Sequence, residues 1–412
     1  MSFSQKTYFF CGIGGSGMMP LAAIMARKGF RVLGSDRGRD RGDSPEKFKL
    51  LESLGIKIFP QDGSGVTDGI LVVSSAVEDS IPDVAAAKAR NIPILKRAEL
   101  LAQIFNSYEA GIAVAGTSGK STVTGMIATM LCESGLDPTV MNGGMIRNFR
   151  EQPSNMRVGQ GGVFVTETDE SDGTVSLYNP AIAVLNNITL DHKSFDELEI
   201  LFGGLIARAG RAVVLNVDDH RVESLTGKTQ AKIIGFGIKN EKATLRGTNI
   251  KFHPDGVAFE IEGHKVRLKT PGEHNVLNAL AALGVARGLG LDLKTAIAGL
   301  EKFEGIKRRM EVVGTRNGIT VIDDFGHNPD KIAAGLKTLK EFPGRLIVVF
   351  QPHGFGPLKL MGREIAETFK DYLGDDDLLL MPEAYYAGGT VDRSVTAKHV
   401  VEMVGAGAHW FE

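Results

Sequence analysis

Gly111-Ile112-Ala113-Val114-Ala115-Gly116-Thr117-Ser118-Gly119-Lys120-Ser121-Thr122 is the stretch on which the fold turns. The apolar start predicts a buried strand, the glycine-rich run a tight loop, and the apolar-periodic residues onward to Leu131 a helix. A strand that turns into a helix through small residues presents several backbone N–H groups and the positive end of a helix dipole to one anion. Lys120 is then placed to reach β- and γ-phosphates as a point charge, and Ser121 to join the oxygen shell of the Mg2+ that travels with ATP. Val114 stands where the strict G-x-x-x-x-G-K-[ST] pattern wants glycine, and G-T-x-G-K-[ST] is a narrower signature. A glycine turn with a merely solvated lysine is the plain alternative. Gly116, Thr117, Ser118, Gly119, Lys120, Ser121 and Thr122 are the candidate ATP-binding residues.

Outside this stretch, short β-rich runs alternate with helical patterns, which predicts an α/β protein of parallel sheets and crossover helices. The 412 residues are 43% hydrophobic with a formal net charge of −2. That composition suits a multidomain cytoplasmic enzyme with room for substantial cores. No basic stripe is present to bind nucleic acid, no apolar run approaches a membrane span, and the start shows no secretory pattern. Cys11 and Cys132 are too few for a disulfide framework. Three domains are expected: residues 1–106, ending at the linker Asn106-Ser107-Tyr108; residues 107–311; and residues 312–412, with Ile319–Ile322 and Arg345–Phe350 as strands around a helix from Lys331 to Lys340.

The first domain opens with Thr7–Cys11 as a strand, then Gly12-Ile13-Gly14-Gly15-Ser16-Gly17, a helix from Met18, and Asp36 at the end of the second strand. This is a βαβ phosphate-binding pattern, with a pyrophosphate at the helix N-terminus and Asp36 accepting from ribose hydroxyls or a base. Taken alone it suggests NAD, or glycines used only for tight packing.

In the second domain, Glu167 ends the apolar strand Val163–Thr166 beside the phosphate loop, followed by Asp169, Glu170 and Asp172. Clustered acids are often only solvated, but acids at the end of a buried strand opposite a phosphate loop favour Mg2+. Asn187, Asp191 and His192 follow the next strand, Ala181–Leu185, in the same relation to the sheet. An isolated histidine there is a capping or core residue as readily as a metal ligand.

The chain resembles the Mur ligases, ATP-dependent amide-forming enzymes of peptidoglycan assembly. The resemblance rests on Gly12-Ile-Gly-Gly-Ser-Gly-Met18, Val73-Ser-Ser-Ala-Val77, Gly116-Thr-Ser-Gly-Lys-Ser121, Glu167-Thr-Asp-Glu-Ser-Asp172 and Asp191-His192. Further along come Pro271-Gly-Glu-His-Asn-Val-Leu-Asn278, Arg308-Arg309, Val321-Ile-Asp-Asp-Phe-Gly-His327 and Gln351-Pro-His353. It implies an N-terminal Rossmann-like domain that holds a UDP-sugar instead of NAD, a central P-loop ATPase-like α/β domain, and a C-terminal Rossmann-like domain that receives the amine. UDP-N-acetylmuramate and an L-amino acid, nearest to L-alanine, are the implied substrates, joined through an acyl phosphate. Gly14, Gly15, Ser16, Gly17, Met18, Asp36, Ser74, Ser75 and Ala76 would bind the UDP-sugar. Lys120, Glu167, His192 and Arg309 would be catalytic, with Ser121, Glu167 and His192 holding two Mg2+. Asn275, Asn278, Arg309 and Asp324 would contact ATP, and His327 and His353 would face the acceptor. The bland reading of Asn275 and Asn278 is a cap and a helix-face amide.

Two departures bear on specificity. The arginines that follow Gln-Pro-His in the alanine-adding branch are missing from Gln351-Pro-His-Gly-Phe-Gly-Pro-Leu-Lys359, leaving Lys359 or Arg363 as substitutes, and Asn328 replaces a familiar histidine. A different acceptor, such as a recycled peptide, a different donor, or a non-catalytic nucleotide-binding regulator are the alternatives these leave open. The chain also stops soon after Ala408–Phe411, so the third domain is expected to lack strand-helix pairs found in the family.

Overall fold

The computed structural model describes residues 6–75, 77–150, 153–170, 173–189, 193–253, 256–386 and 392–411. The chain forms two compact units, one of Met1–Thr248, Glu260–Val266 and Leu277–Ile306, the other of Asn249–Phe259, Arg267–Val276 and Lys307–Glu412.

In the first unit, β1 (Thr7–Cys11), β2 (Arg31–Ser35), β3 (Lys57–Phe59), β4 (Ile70–Val73) and β5 (Ile94–Lys96) form a parallel sheet in the order β3-β2-β1-β4-β5. The order reverses between β1 and β4, which is where open α/β sheets bind ligands at the carboxyl ends of their strands. A second sheet contains β6 (Ala110–Ala115), β7 (Thr139–Met141), β8 (Met156–Arg157), β9 (Val163–Glu167), β10 (Ile182–Leu185), β11 (Ala212–Asn216), β12 (Lys232–Gly237) and β13 (Leu245–Arg246). Its order is β13-β12-β11-β10-β6-β9-β7-β8, parallel except for β8. β6, β10 and β11 are buried on both faces, as near-continuous apolar runs in a parallel sheet require.

At the expected linker, residues 106–108, Asn106 and Ser107 are exposed and Tyr108 is half-buried, next to the buried Phe105. One hydrophobic cluster runs from Tyr8 through Phe105 to Phe164, Tyr178 and Leu225, so it joins both sheets. Phe105 lies 5.8 Å from Phe164 and 5.1 Å from Tyr178, and Tyr108 lies 5.0 Å from Phe164. Asn106 donates to Leu177 O and accepts from Asn179 N, both at 2.9 Å.

In the second unit, β17 (Glu311–Arg316) pairs antiparallel with β18 (Ile319–Asp323) across Asn317-Gly318. Both turn residues have positive φ, 52° and 77°, which is the type I′ geometry that matches strand twist. The expected strands at 319–322 and 345–350 around a helix from Lys331 to Lys340 are present as β18, the helix Pro329–Leu339 and a strand at Ile347–Val349, but β18 pairs with β17 and not with that later strand. β19 (Ile347–Val349), β20 (Leu378–Pro382) and β21 (Ala408–Phe411) form a separate parallel sheet in that order. Its core includes Phe350, Phe355, Leu358, Phe369 and Met381. β14 (Thr248–His253), β15 (Gly256–Ile261) and β16 (His264–Leu268) make a small sheet of their own. Among the described residues, no helix is long and apolar enough to cross a membrane.

Truncating a fully buried phenylalanine removes its transfer free energy and leaves a cavity, so Phe105→Ala is expected to cost about 3–5 kcal/mol. A denaturant titration followed by circular dichroism checks this; a midpoint unchanged from the parent would show that this ring does not tie the two sheets.

Candidate functional site

β6 lies between β9 and β10 with Val114 opposite Glu167 and Ala115 opposite Leu185. That register brings the loop after β6, the carboxylate ending β9 and the amides following β10 to one sheet edge. The helix Lys120–Glu133 then starts at Gly119, whose φ of 83° and close approach to its neighbours both require glycine: an added Cβ would lie 2.5 Å from Asn186 Nδ2.

The loop is clamped from β10. Asn187 Oδ1 accepts from Thr117 Oγ1 at 2.9 Å and Ser118 N at 2.8 Å, while its Nδ2 donates to Ser118 O at 3.1 Å. Thr189 N donates to Thr117 Oγ1 at 2.9 Å. Asn186 Nδ2 donates to Ser118 O at 3.2 Å and to Asn278 Oδ1 at 3.1 Å. Lys120 Nζ donates to Gly116 O at 2.7 Å and pairs with the buried Glu170 carboxylate at 2.8 and 3.0 Å. A desolvated ammonium requires such a counterion, and an incoming phosphate competes for the same donors. Ser121 Oγ donates to Glu167 Oε2 at 2.7 Å. Gly143 passes so close that a Cβ there would stand 1.9 Å from Glu167 Oε1.

The other glycine loop follows β1. Gly12 N and Ile13 N both donate to Ser35 O at 2.9 Å, bending the chain into the helix Met18–Arg27. Asp36 accepts from Gly14 N and Gly38 N, both at 2.8 Å, so each carboxylate oxygen already holds a loop amide as well as capping a short helix. Lys47 Nζ donates to Gly14 O at 2.7 Å, and the Arg97 side chain lies 3.3 Å from where a Cβ on Gly17 would sit. Two cations thus flank the loop just before the N-terminus of the helix Met18–Arg27, an arrangement suited to a diphosphate. Neither Lys47 nor Arg97 is signalled by the glycine motif. Ser74 and Ser75 follow β4 at the same sheet edge, and Ala76 lies outside the described residues. Cys11 precedes this loop, but burial and the neighbouring Asp83 push its thiol up to about 12, so it is no nucleophile at neutral pH.

Three family models cover the chain in order: a Mur ligase family catalytic domain at residues 7–109, a Mur ligase middle domain at 114–286 and a Mur ligase glutamate ligase domain at 308–412. A UDP-N-acetylmuramate–L-alanine ligase of Geobacter sp. strain M21 is 38% identical over 411 residues, covering 96% of this chain and 86% of that protein. The corresponding Caulobacter vibrioides ligase is 37% identical over 408 residues, covering 94% and 83%. The crystal structure of UDP-N-acetylmuramate-alanine ligase MurC from Thermotoga maritima superposes with a TM-score of 0.80 at 28% identity, covering 99% of this chain and 91% of that one.

The chain belongs to the Mur ligase family. Mur ligases being ATP-dependent, the site must also suit a divalent cation. Ser121 Oγ and Glu167 are hard oxygen donors side by side at the phosphate loop, which fits Mg2+, an ion that keeps waters and shares phosphate oxygens instead of filling an all-protein cage. Among the described residues no three His, Cys, Asp or Glu side chains gather as a metal cluster. His192, with Asp172 and Asp191, lies outside the described residues.

In the second compact unit, Asn275 Nδ2 donates to Pro271 O at 2.7 Å, the local bond of the bland reading. Asp324 accepts from Met310 N and Gly326 N at 2.9 Å, fixing the turn that carries Arg309, whose guanidinium lies 5.2 Å from the centre of the Phe325 ring. His327 Nδ1 is 3.0 Å from Phe325 O, and His353 stacks on Tyr385 at 6.0 Å between ring centres. Asn328 accepts from Lys331 N at 3.0 Å as the N-cap of the helix Pro329–Leu339, which accounts for an amide in place of the familiar histidine.

Gly143→Ala forces Glu167 away from Ser121, and a displacement of that size costs about 100-fold in turnover. Titrating Mg2+ at fixed ATP should show a raised requirement with the melting temperature nearly kept; an unchanged Mg2+ dependence would remove Glu167 from the metal site.

Proposed function

We propose that this Mur ligase joins the lactyl carboxylate of UDP-N-acetylmuramate to the amine of L-alanine, at the expense of ATP, in peptidoglycan precursor synthesis. The observation that carries the reading is the convergence of Lys120, Ser121 and Glu167 on one clamped phosphate loop, together with a second, cation-flanked glycine loop for a sugar diphosphate. The relatives' names supply the substrates.

The N-terminus of the helix Lys120–Glu133 and the Lys120 ammonium hold the phosphates in line and neutralise charge as the sugar carboxylate attacks the γ-phosphorus and ADP leaves. Phosphoryl transfer of this kind needs positioning and electrostatics more than a protein nucleophile, consistent with an inert Cys11. Mg2+ held by Ser121 and Glu167, with His192 for a second ion, supplies charge neutralisation at the phosphate oxygens. The amine then attacks the acyl carbonyl carbon, its proton departs, and phosphate leaves. Asn278, which touches the loop through Asn186, and Asn275, Arg309 and Asp324 are the proposed nucleotide contacts. Gly14 to Met18, Asp36, Ser74 and Ser75 are the proposed sugar-nucleotide contacts, with Lys47 and Arg97 added by the geometry. His327 and His353 belong to the acceptor side, and the enzyme acts in the cytoplasm.

Phosphate release from ATP is expected to require Mg2+, UDP-N-acetylmuramate and L-alanine together, and Lys120→Ala is expected to abolish it while leaving the melting temperature close to the parent's. Release that needs no amino acid, or a folded Lys120→Ala variant with near-normal rates, would overturn the assignment.

A further inference from the structure

We infer that Arg393 binds the α-carboxylate of the incoming amino acid. The inference rests on the ligase reading above and deepens its acceptor side, where the sequence lacks the arginines that follow Gln-Pro-His in the alanine-adding branch. The two substitutes suggested by sequence are both engaged elsewhere. Lys359 is ion-paired with Asp392, and that ammonium holds the Asp392 carboxyl well below the usual carboxylate range. Arg363 pairs with Glu367 at 3.0 Å one turn along its own helix.

Arg393 is differently placed. Its guanidinium lies 4.0 Å from the centre of the Tyr386 ring and 5.5 Å from that of Phe355, and it makes no hydrogen bond or ion pair among the described residues. A guanidinium resting on aromatic faces spends its π surface on stacking and keeps its edge N–H fork free, which is the part that matches a carboxylate bidentately. Stacking also restricts the long side chain in advance, so less conformational entropy is lost when a ligand binds.

The location is that of a ligand site. Gln351-Pro352-His353 follows β19 and Tyr385-Tyr386 follows β20, both at the carboxyl edge of the parallel sheet, where open α/β sheets bind ligands. Tyr385 N donates to Pro352 O at 2.9 Å, and the His353 and Tyr385 rings stack with an interplanar angle of 7°. The Lys359–Asp392 ion pair, with Ser394 N donating to Asp392 at 2.9 Å, ties the segment that carries Arg393 to the helix Phe355–Tyr372. Arg393 is exposed and is held from two directions, by the Tyr386 and Phe355 rings and by the anchored Asp392 that precedes it.

The test compares L-alanine with L-alaninamide, which keeps the amine but lacks the carboxylate, in the parent and in Arg393→Ala and Arg393→Lys. Losing a bidentate charge-assisted contact should raise KM for L-alanine about 30- to 100-fold in Arg393→Ala. KM for ATP and for the sugar nucleotide, kcat and the melting temperature should stay near the parent's, and the preference for L-alanine over its amide should collapse. Arg393→Lys should fall between the two, because it keeps charge and loses the fork. An Arg393→Ala enzyme that still prefers L-alanine to the amide as strongly as the parent, or a parent without that preference, would overturn the assignment of Arg393. A parent that releases no phosphate with any L-amino acid would instead overturn the ligase reading itself.

Discussion

The pairing of β6 with β9 on one side and β10 on the other is the constraint on which the phosphate site depends. Parallel strands in register end at one edge, so the chain that leaves β6 as a loop meets the carboxylate of Glu167 and the amides of Asn186 and Asn187 without any of them reaching far. Thr168 N donates to Val114 O at 2.9 Å and Asn186 N to Ala115 O at 3.1 Å, carrying the ladders on both sides up to the loop itself. The loop is then held by side-chain amides in place of further strand. The helix Lys120–Glu133 begins directly behind the clamped loop, and its N-terminus is the part of this edge suited to an anion.

The charges at this edge are arranged to be exchanged. Lys120 is satisfied by Glu170 and by Gly116 O, and the Ser121 hydroxyl by Glu167. With these partners in place the half-buried ammonium, the half-buried Glu167 and the buried Glu170 are mutually satisfied, which offsets the cost of their partial desolvation. The second unit differs: three of its guanidiniums lie over rings. Arg308 and Arg309 both lie about 5 Å from the centre of Phe325, and Arg393 rests on Tyr386 and Phe355. An aromatic face holds a cation in place with a modest interaction and leaves its hydrogen-bonding edge for a ligand.

Much of this was legible in the sequence, and particular residues show where legibility ends. The strand-loop-helix at residues 110–133, the glycine turn at 12–17 and the helices at 273–289 and 329–339 follow from apolar periodicity and glycine placement, which act within a few residues. The hairpin at 311–323 had a signal too, Asn317-Gly318, a pair that takes positive φ at both positions. At residues 106–108 the polar sequence marks a connector, but it does not show that Phe105 and Tyr108 pack against Phe164.

Sequence by itself determined the residue types on offer: two glycine-rich loops between a strand and a helix, a lysine and a hydroxyl at the start of one of those helices, and acids at the end of a buried strand. Only the tertiary structure decided which side chains meet. Lys120 and Glu170 are 50 residues apart, Asn186 and Asn278 are 92 apart, and Lys359 and Asp392 are 33 apart. Backbone conformation is set by neighbours within a turn or a strand, so motifs survive in one dimension. Which ammonium is already paired, and which guanidinium is left with an open edge, depends on strand register and helix placement, and these exist only once the sheets have formed.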